Sequence, residues 1–232
     1  MIKNGKRQVV IVMALVAIMA ITGTAAYFTA SEEATNKWTV GKVTIDLQEE
    51  EYEKHKEEET KDITPNMELH KDPKVHNTGN NDAFVFMRVR IPKATVKVAA
   101  QNGSAPAEAT LQELFDYRWN NGWTVIDTRE VRSGTATYQE YVIAYGTANE
   151  CTALKPGETT PVLFINGDGD HIANKGVAGL ITFKNVIEGQ GLENVELNLN
   201  VESFAIQTAN LTTEDTKTPA KVWSILTTQT GA

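Results

Sequence analysis

The chain has 232 residues, 41% of them hydrophobic and 22% charged, with a formal net charge of −8. That length suits one or two domains with a real core, and the composition excludes a disordered chain. The acidic balance argues against nucleic acid and anionic lipid surfaces as partners.

Lys3, Lys6 and Arg7 precede an unbroken run of 13 apolar residues, Val9 to Ile21, and small residues from Thr22 to Ala26 follow. Basic, apolar and small in that order is the build of a secretory signal peptide. A membrane span needs roughly 20 apolar residues, so a retained anchor is the second reading. Cleavage between Ala26 and Tyr27 places Thr24 and Ala26 where a signal peptidase reads small side chains. Losing three cations takes Lys+Arg from 22 to 19 and the net charge from −8 to −11. The remainder, 27–232, reads as one folded domain, with 27–37 as a polar N-terminal arm. The membrane enters only through the signal peptide before cleavage.

KWTVGKVTIDL alternates, but the phase changes: Trp38 and Val40 share one parity, whereas Val43, Ile45 and Leu47 share the other. A strand with a bulge at Gly41 accounts for the slip. Residues 48–62 mix both charges with almost nothing to bury. They read as a solvated connection with a few helical turns held by i,i+4 pairs, rather than as a cation-binding acidic loop. In FVFMRVRI, Val85, Met87, Val89 and Ile91 form one face. Phe84 and Phe86 open the other, which becomes Arg88 and Arg90, as expected of a strand covered on both sides at one end and wet at the other.

Leu111, Leu114 and Phe115 have helical spacing and predict a short helix over 109–116. WNNGW carries a hairpin-type turn signal at Asn121–Gly122. WTVID, YQEYVIAYG, PVLFIN and LITFKNVI have strand length and β-rich composition, and LKPGETTP is a turn. Val195, Leu197, Leu199 and Val201 alternate with polar residues and predict a half-exposed strand over 195–206. Eight or nine strands with one or two short helices give the expected fold class, an all-β antiparallel sandwich.

Four histidines, His55, His70, His76 and His171, lack the His-Glu-x-x-His spacing of a helical zinc site and read as surface residues. No nucleophile elbow and no phosphate-cradling glycine motif is present, so no catalytic residue, enzymatic activity or cofactor is expected. Asn166, Asp168 and Asp170 alternate with glycines, as at the start of a calcium loop. The twelfth position from Asn166 is Val177 rather than glutamate, and a hairpin loop explains the same residues. Cys151 is the single cysteine, which excludes an internal disulfide; it reads as a partly buried side chain, with an intermolecular disulfide as the alternative.

Several segments together resemble one family. Ala26, Tyr27, Phe28 and Thr29, then Trp38, Gly41, Val43, Ile45 and Leu47, resemble the leader and first strand of exported proteins processed by SipW-type signal peptidases. ITPNMELHKDPKVHNTGNNDAFVFMRVRIP, LKPGETTPVLF and VESFAIQTANL are similar to further elements of the TasA/camelysin group of Gram-positive bacteria. The resemblance implies a jelly-roll-like β-sandwich, secreted to the cell surface or biofilm matrix, with members that polymerise into fibres. It implies a head-to-tail homopolymer as the partner, with residues 27–47 as the donor of a strand to a neighbour (Tyr27, Phe28, Trp38, Val40, Gly41, Val43, Ile45, Leu47). Pairing of that segment within its own domain is the alternative. Some members are labelled metalloproteases. A surface metallopeptidase and a monomeric binding or adhesion module are therefore the competing functions.

Overall fold

A computed structural model describes residues 42–100, 102–193, 195–209, 211 and 217–230. The signal peptide, the Ala26–Tyr27 junction, the 27–37 arm, Trp38, Val40 and the phase change at Gly41 lie outside the described residues. Among the described residues the chain is mostly β, with antiparallel sheets curled into a half-barrel.

The strands follow in order: β1 (Ile45–Gln48), β2 (Glu68–His70), β3 (Lys74–Asn77), β4 (Ala83–Val96), β5 (Thr110–Glu113), β6 (Phe115–Trp119), β7 (Trp123–Ser133), β8 (Ala136–Tyr145), β9 (Ala153–Leu154), β10 (Phe164–Asn166), β11 (Leu180–Phe183) and β12 (Asn200–Gln207). Helix α1 (Glu50–Glu59) lies between β1 and β2, and α2 (Pro219–Thr230) follows β12. One sheet has the order β12-β4-β8-β7, with β5 and β9 also paired to β4. A second has the order β10-β6-β11-β2, and β1 pairs with β3.

The alternation in β4 governs the packing. Val85, Met87, Val89 and Ile91 are fully buried, in a core shared with Ile143 of β8 and with Phe164, Ile181 and Phe183 of the second sheet. Phe84 and Phe86 point the other way into a smaller core under α2, with Ala144, Cys151, Ile206, Val222 and Leu226. Beyond α2 that face turns to water, and Arg88 and Arg90 are half-buried there. The strand is thus covered on both sides at one end and wet at the other, as its sequence predicts.

Three expectations are corrected. Residues 110–113 and 115–119 are strands rather than a helix. The backbone bends at Leu114, whose N–H donates to Pro92 of β4 while its carbonyl accepts from Lys184 just past β11. The chain switches sheets at this corner, so Leu114 and Phe115 are buried while Leu111 is 43% exposed, and the apparent helical spacing is coincidental. The Asn121–Gly122 turn forms, with Gly122 at φ +90°, but it carries the chain from β6 to β7 in the other sheet rather than closing a hairpin. The strand expected from Val195 begins only at Asn200, opposite Arg90. From Lys93 onward β5 pairs with β4, while β8 already holds the opposite edge of β4. Residues 195–199 are therefore left without an edge to join, and Val195 is 51% exposed.

Helix α2 lies outside the expected elements. Pro219 stands at its first position, where a missing N–H costs nothing, and Val222 and Leu226 form its buried i,i+4 face. Trp223 lies 5.3 Å from Phe86 and 5.4 Å from Phe204, ring centre to ring centre.

Candidate functional site

The N-terminal edge of the domain brings together the features that bear on function. Val43, Ile45 and Leu47 pack against the main core, as their shared parity predicts. β1 runs antiparallel to β3 from Ile45–Asn77 to Gln48–Lys74. The bonding continues outward: the Thr44 carbonyl accepts from Thr78 and Gly79, and the Lys42 carbonyl accepts from Asn80. A side chain on Gly79 would collide with the Lys42 carbonyl and the Thr44 N–H, so this approach requires glycine. Residues 42–47 therefore pair within their own domain, and the candidate donor segment narrows to 27–41. The other edge of β3 is covered by residues 157–160, through the Asn77 N–H to Glu158 and the Thr160 N–H to Val75. Among the described residues β1 remains hydrogen-bonded on one side only.

Helix α1 follows directly. It buries no residue, which agrees with its charge-rich sequence. Glu51–Lys54, Glu53–Lys56 and Glu57–Lys61 pair along its surface. It is held to the sheet by polar contacts instead. The Asp72 carboxylate accepts the Glu51 and Tyr52 N–H groups at 3.0 Å each, satisfying two donors that the first turn leaves free. Lys71 reaches Glu49 at 2.7 Å and lies over the Tyr52 ring, and Lys74 reaches Glu50 at 3.0 Å.

At the same interface His55 of α1 and His70 of β2 stack, with ring centres 4.0 Å apart and planes 11° from parallel. His55 Nδ1 lies 2.8 Å from the Glu51 backbone carbonyl. Glu59 folds back on His70, one carboxylate oxygen 2.5 Å from Nδ1 and the other accepting the His70 N–H at 2.6 Å. One donor atom each from Glu51, His55 and His70 falls within 4.8 Å of the other two. Two of the expected surface histidines are thus partly covered and adjacent. Glu51 and His55 stand four residues apart on one helical face, but the third member is fifteen residues further along on a strand. That separation hid the group from a search for metal-ligand spacing.

The other singled-out residues have different partners. Asn166 is buried, its amide donating to Glu68 and its carbonyl oxygen accepting from Thr182 and the Gly167 N–H. Asp168 pairs with Arg118 at 3.0 Å and Asp170 with Lys175 at 2.9 Å, so the three side chains of the calcium candidate do not converge. Burial opposes ionisation of Glu68, but the Asn174 backbone and amide, the Ala173 N–H and the Asn166 amide outweigh it and hold the carboxyl below its usual range. His171 pairs with Asp116, and His76 with the Thr159 hydroxyl. Cys151 is buried, and that burial, with Glu150 beside it, pushes its thiol up to about 12.

A carboxylate clamp crosses the six-stranded sheet. Glu140 of β8 is 1% exposed and faces Arg90 of β4 and Arg129 of β7 in register. Both guanidinium Nε atoms lie 2.7 Å from its oxygens. Burial works against the charged form, yet the two arginine hydrogen bonds prevail and keep the carboxyl below its ordinary value. A shallow cleft of about 190 Å³ opens beside it, lined by Arg90, Arg132, Ser133, Tyr138 and Asn200.

Comparison with protein-family models, curated proteins and solved structures finds no match to this chain. No helix among the described residues is long and apolar enough to cross a membrane.

Proposed function

We propose that the chain is an exported structural subunit of the TasA/camelysin kind. In this reading it is a jelly-roll-like sandwich that leaves the cell through a SipW-type signal peptidase and assembles head-to-tail into extracellular fibres by strand addition. The observation that carries the reading is that β1, the first described strand, is hydrogen-bonded on one side only among the described residues. In this reading the segment preceding β1 adds as a strand to a second copy and leaves the core undisturbed. Residues 27–41, fully extended, span about 50 Å, ample for that reach. By contrast, the longer edge strand β7 carries Asp127, Arg129, Glu130 and Arg132 and a register shift between Val125 and Asp127, features that discourage pairing.

Electron microscopy of concentrated mature protein beginning at Tyr27 tests this, beside the same protein lacking 27–37. Filaments from the first and monomers from the second are expected. Unchanged filaments after the deletion exclude that portion as the donor, and no filaments from either remove the assembly reading. N-terminal sequencing of exported protein checks the processing site, with Tyr27 within two residues of the new terminus.

A metal-dependent peptidase is the second reading, favoured by the meeting of Glu51, His55 and His70. It requires chelator-sensitive cleavage of peptides by purified protein.

A further inference from the structure

We propose that Glu51, His55 and His70 bind one divalent cation of the zinc class, and that the cation fastens α1 to β2. Two imidazoles and a carboxylate form a donor set that suits zinc and its transition-metal neighbours, whereas calcium and magnesium want oxygen alone. The three donors come from two elements. Glu51 and His55 share a face of α1 through their i,i+4 spacing, and His70 faces them from β2. Tetrahedral zinc with bonds near 2.1 Å holds its ligands roughly 3.4 Å apart. The present separations, up to 4.8 Å, therefore require a contraction of at most about 1.4 Å, within reach of side chains on an exposed helix.

The outer partners favour binding. His55 offers Nδ1–H to the Glu51 carbonyl, and His70 offers Nδ1–H to the Glu59 carboxylate. With its Nδ1 so occupied, neutral His70 leaves the Nε2 lone pair for a metal, and the Glu59 carboxylate behind the ring strengthens it as a ligand. His55, in contrast, meets the Glu51 carboxylate through Nδ1, at 4.0 Å, and must either release the Glu51 carbonyl or turn its ring to present Nε2. The competing contact is the Lys54 pair to Glu51. Both side chains are well exposed, so exchanging that pair for a cation costs little. Three protein ligands leave a fourth position for water.

Geometry also predicts what must move. An imidazole lone pair lies in the plane of its ring, and two rings 11° from parallel do not aim at a common point. The cation must open the stack, turning one ring out of register with the other. A helix that buries no residue can allow this without disturbing the core. In return it gains a crosslink to the sheet.

The test is calorimetry of untagged protein with zinc chloride, on wild type and on His55→Gln, His70→Ala, Glu51→Gln and Glu59→Gln. Wild type is expected to bind one equivalent at micromolar or lower zinc and to melt at higher temperature when loaded. His55→Gln and His70→Ala should each lose at least 100-fold in affinity. Glu59→Gln should lose 10- to 100-fold as an outer partner. His76→Ala and His171→Ala should bind as wild type. Calcium should give no heat. His55→Gln sits on a helix that buries no residue and is expected to keep the fold, and a circular dichroism spectrum matching wild type separates its loss of binding from unfolding. Absence of stoichiometric zinc in wild type, or undiminished binding by His55→Gln and His70→Ala, overturns the assignment.

Discussion

Replacing Glu140 by glutamine keeps the shape of the side chain and removes the charge that two arginines share. Glu140 is 1% exposed, whereas Arg90 and Arg129 are 37% and 59% exposed, so the carboxylate is the desolvated member of the group. Removing one partner from a fully buried pair costs about 3–5 kcal/mol. Here both arginines can turn toward water once released, and glutamine still accepts one hydrogen bond, which reduces the loss to about 2 kcal/mol. With a urea dependence of about 2 kcal/mol per molar, the unfolding midpoint should fall by about 1 M. The effect must also depend on pH. Because the arginines hold the folded-state carboxyl below the ordinary value of 4.5, its stabilisation is present above the unfolded-state value and is lost as pH falls through the folded-state value. Urea titrations of wild type and Glu140→Gln should therefore differ at pH 7 and converge in acid. Equal midpoints at pH 7, or a difference that persists below the folded-state value, would refute the argument that the clamp is an ionised one.

Phe86 is fully buried between the sheet and Trp223, so Phe86→Ala should cost about 3–5 kcal/mol in urea unfolding, while Leu111→Ala, at a 43% exposed position, should cost less than about 0.5. Gly79→Ala forces a methyl group into the Lys42 and Thr44 backbone; faster hydrogen exchange at Thr78 and Asn80, with β4 and β8 unchanged, is expected, and equal exchange would show that the strand can yield. The Cys151 thiol, pushed up to about 12, should resist maleimide in native protein at pH 8 and react at once in urea, whereas rapid native labelling would contradict its burial.

The parts of the fold visible in the sequence are those whose packing is local and periodic. β4 writes both of its faces into alternate residues, and even the change from Phe84 and Phe86 to Arg88 and Arg90 marks where α2 stops covering it. LKPGETTP turns as expected, with Gly157 at φ +79° and the Glu158 N–H donating to Lys155. Errors arise where tertiary context decides. The residues around Leu114 look helical only because a corner buries two neighbours in succession. Val195 to Leu199 alternate properly but have no edge to join, because β5 occupies it. The histidine cluster follows the same rule: Glu51 and His55 were readable as a helical pair, but nothing local announces His70 as their partner.

Those differences also identify which part of the molecule should loosen first. The two cores hold the sheets and α2 through apolar burial, which salt does not screen, whereas α1 is held by Asp72, Lys71, Lys74 and the histidine contacts. Ten residues are too few for a stable helix alone, and each exposed ion pair adds only about 0.2–1 kcal/mol. At 1 M salt the screening length falls to about 3 Å, so the exposed part of this docking weakens while the Asp72 bonds to the first turn persist. Hydrogen exchange should then rise through the last two turns of α1 as salt is raised, several-fold more than in β4 or β8. Zinc should reverse that rise if the cation fastens His55 to His70. Salt-independent protection along the whole of α1 would mean that the helix is held by something other than these charged contacts.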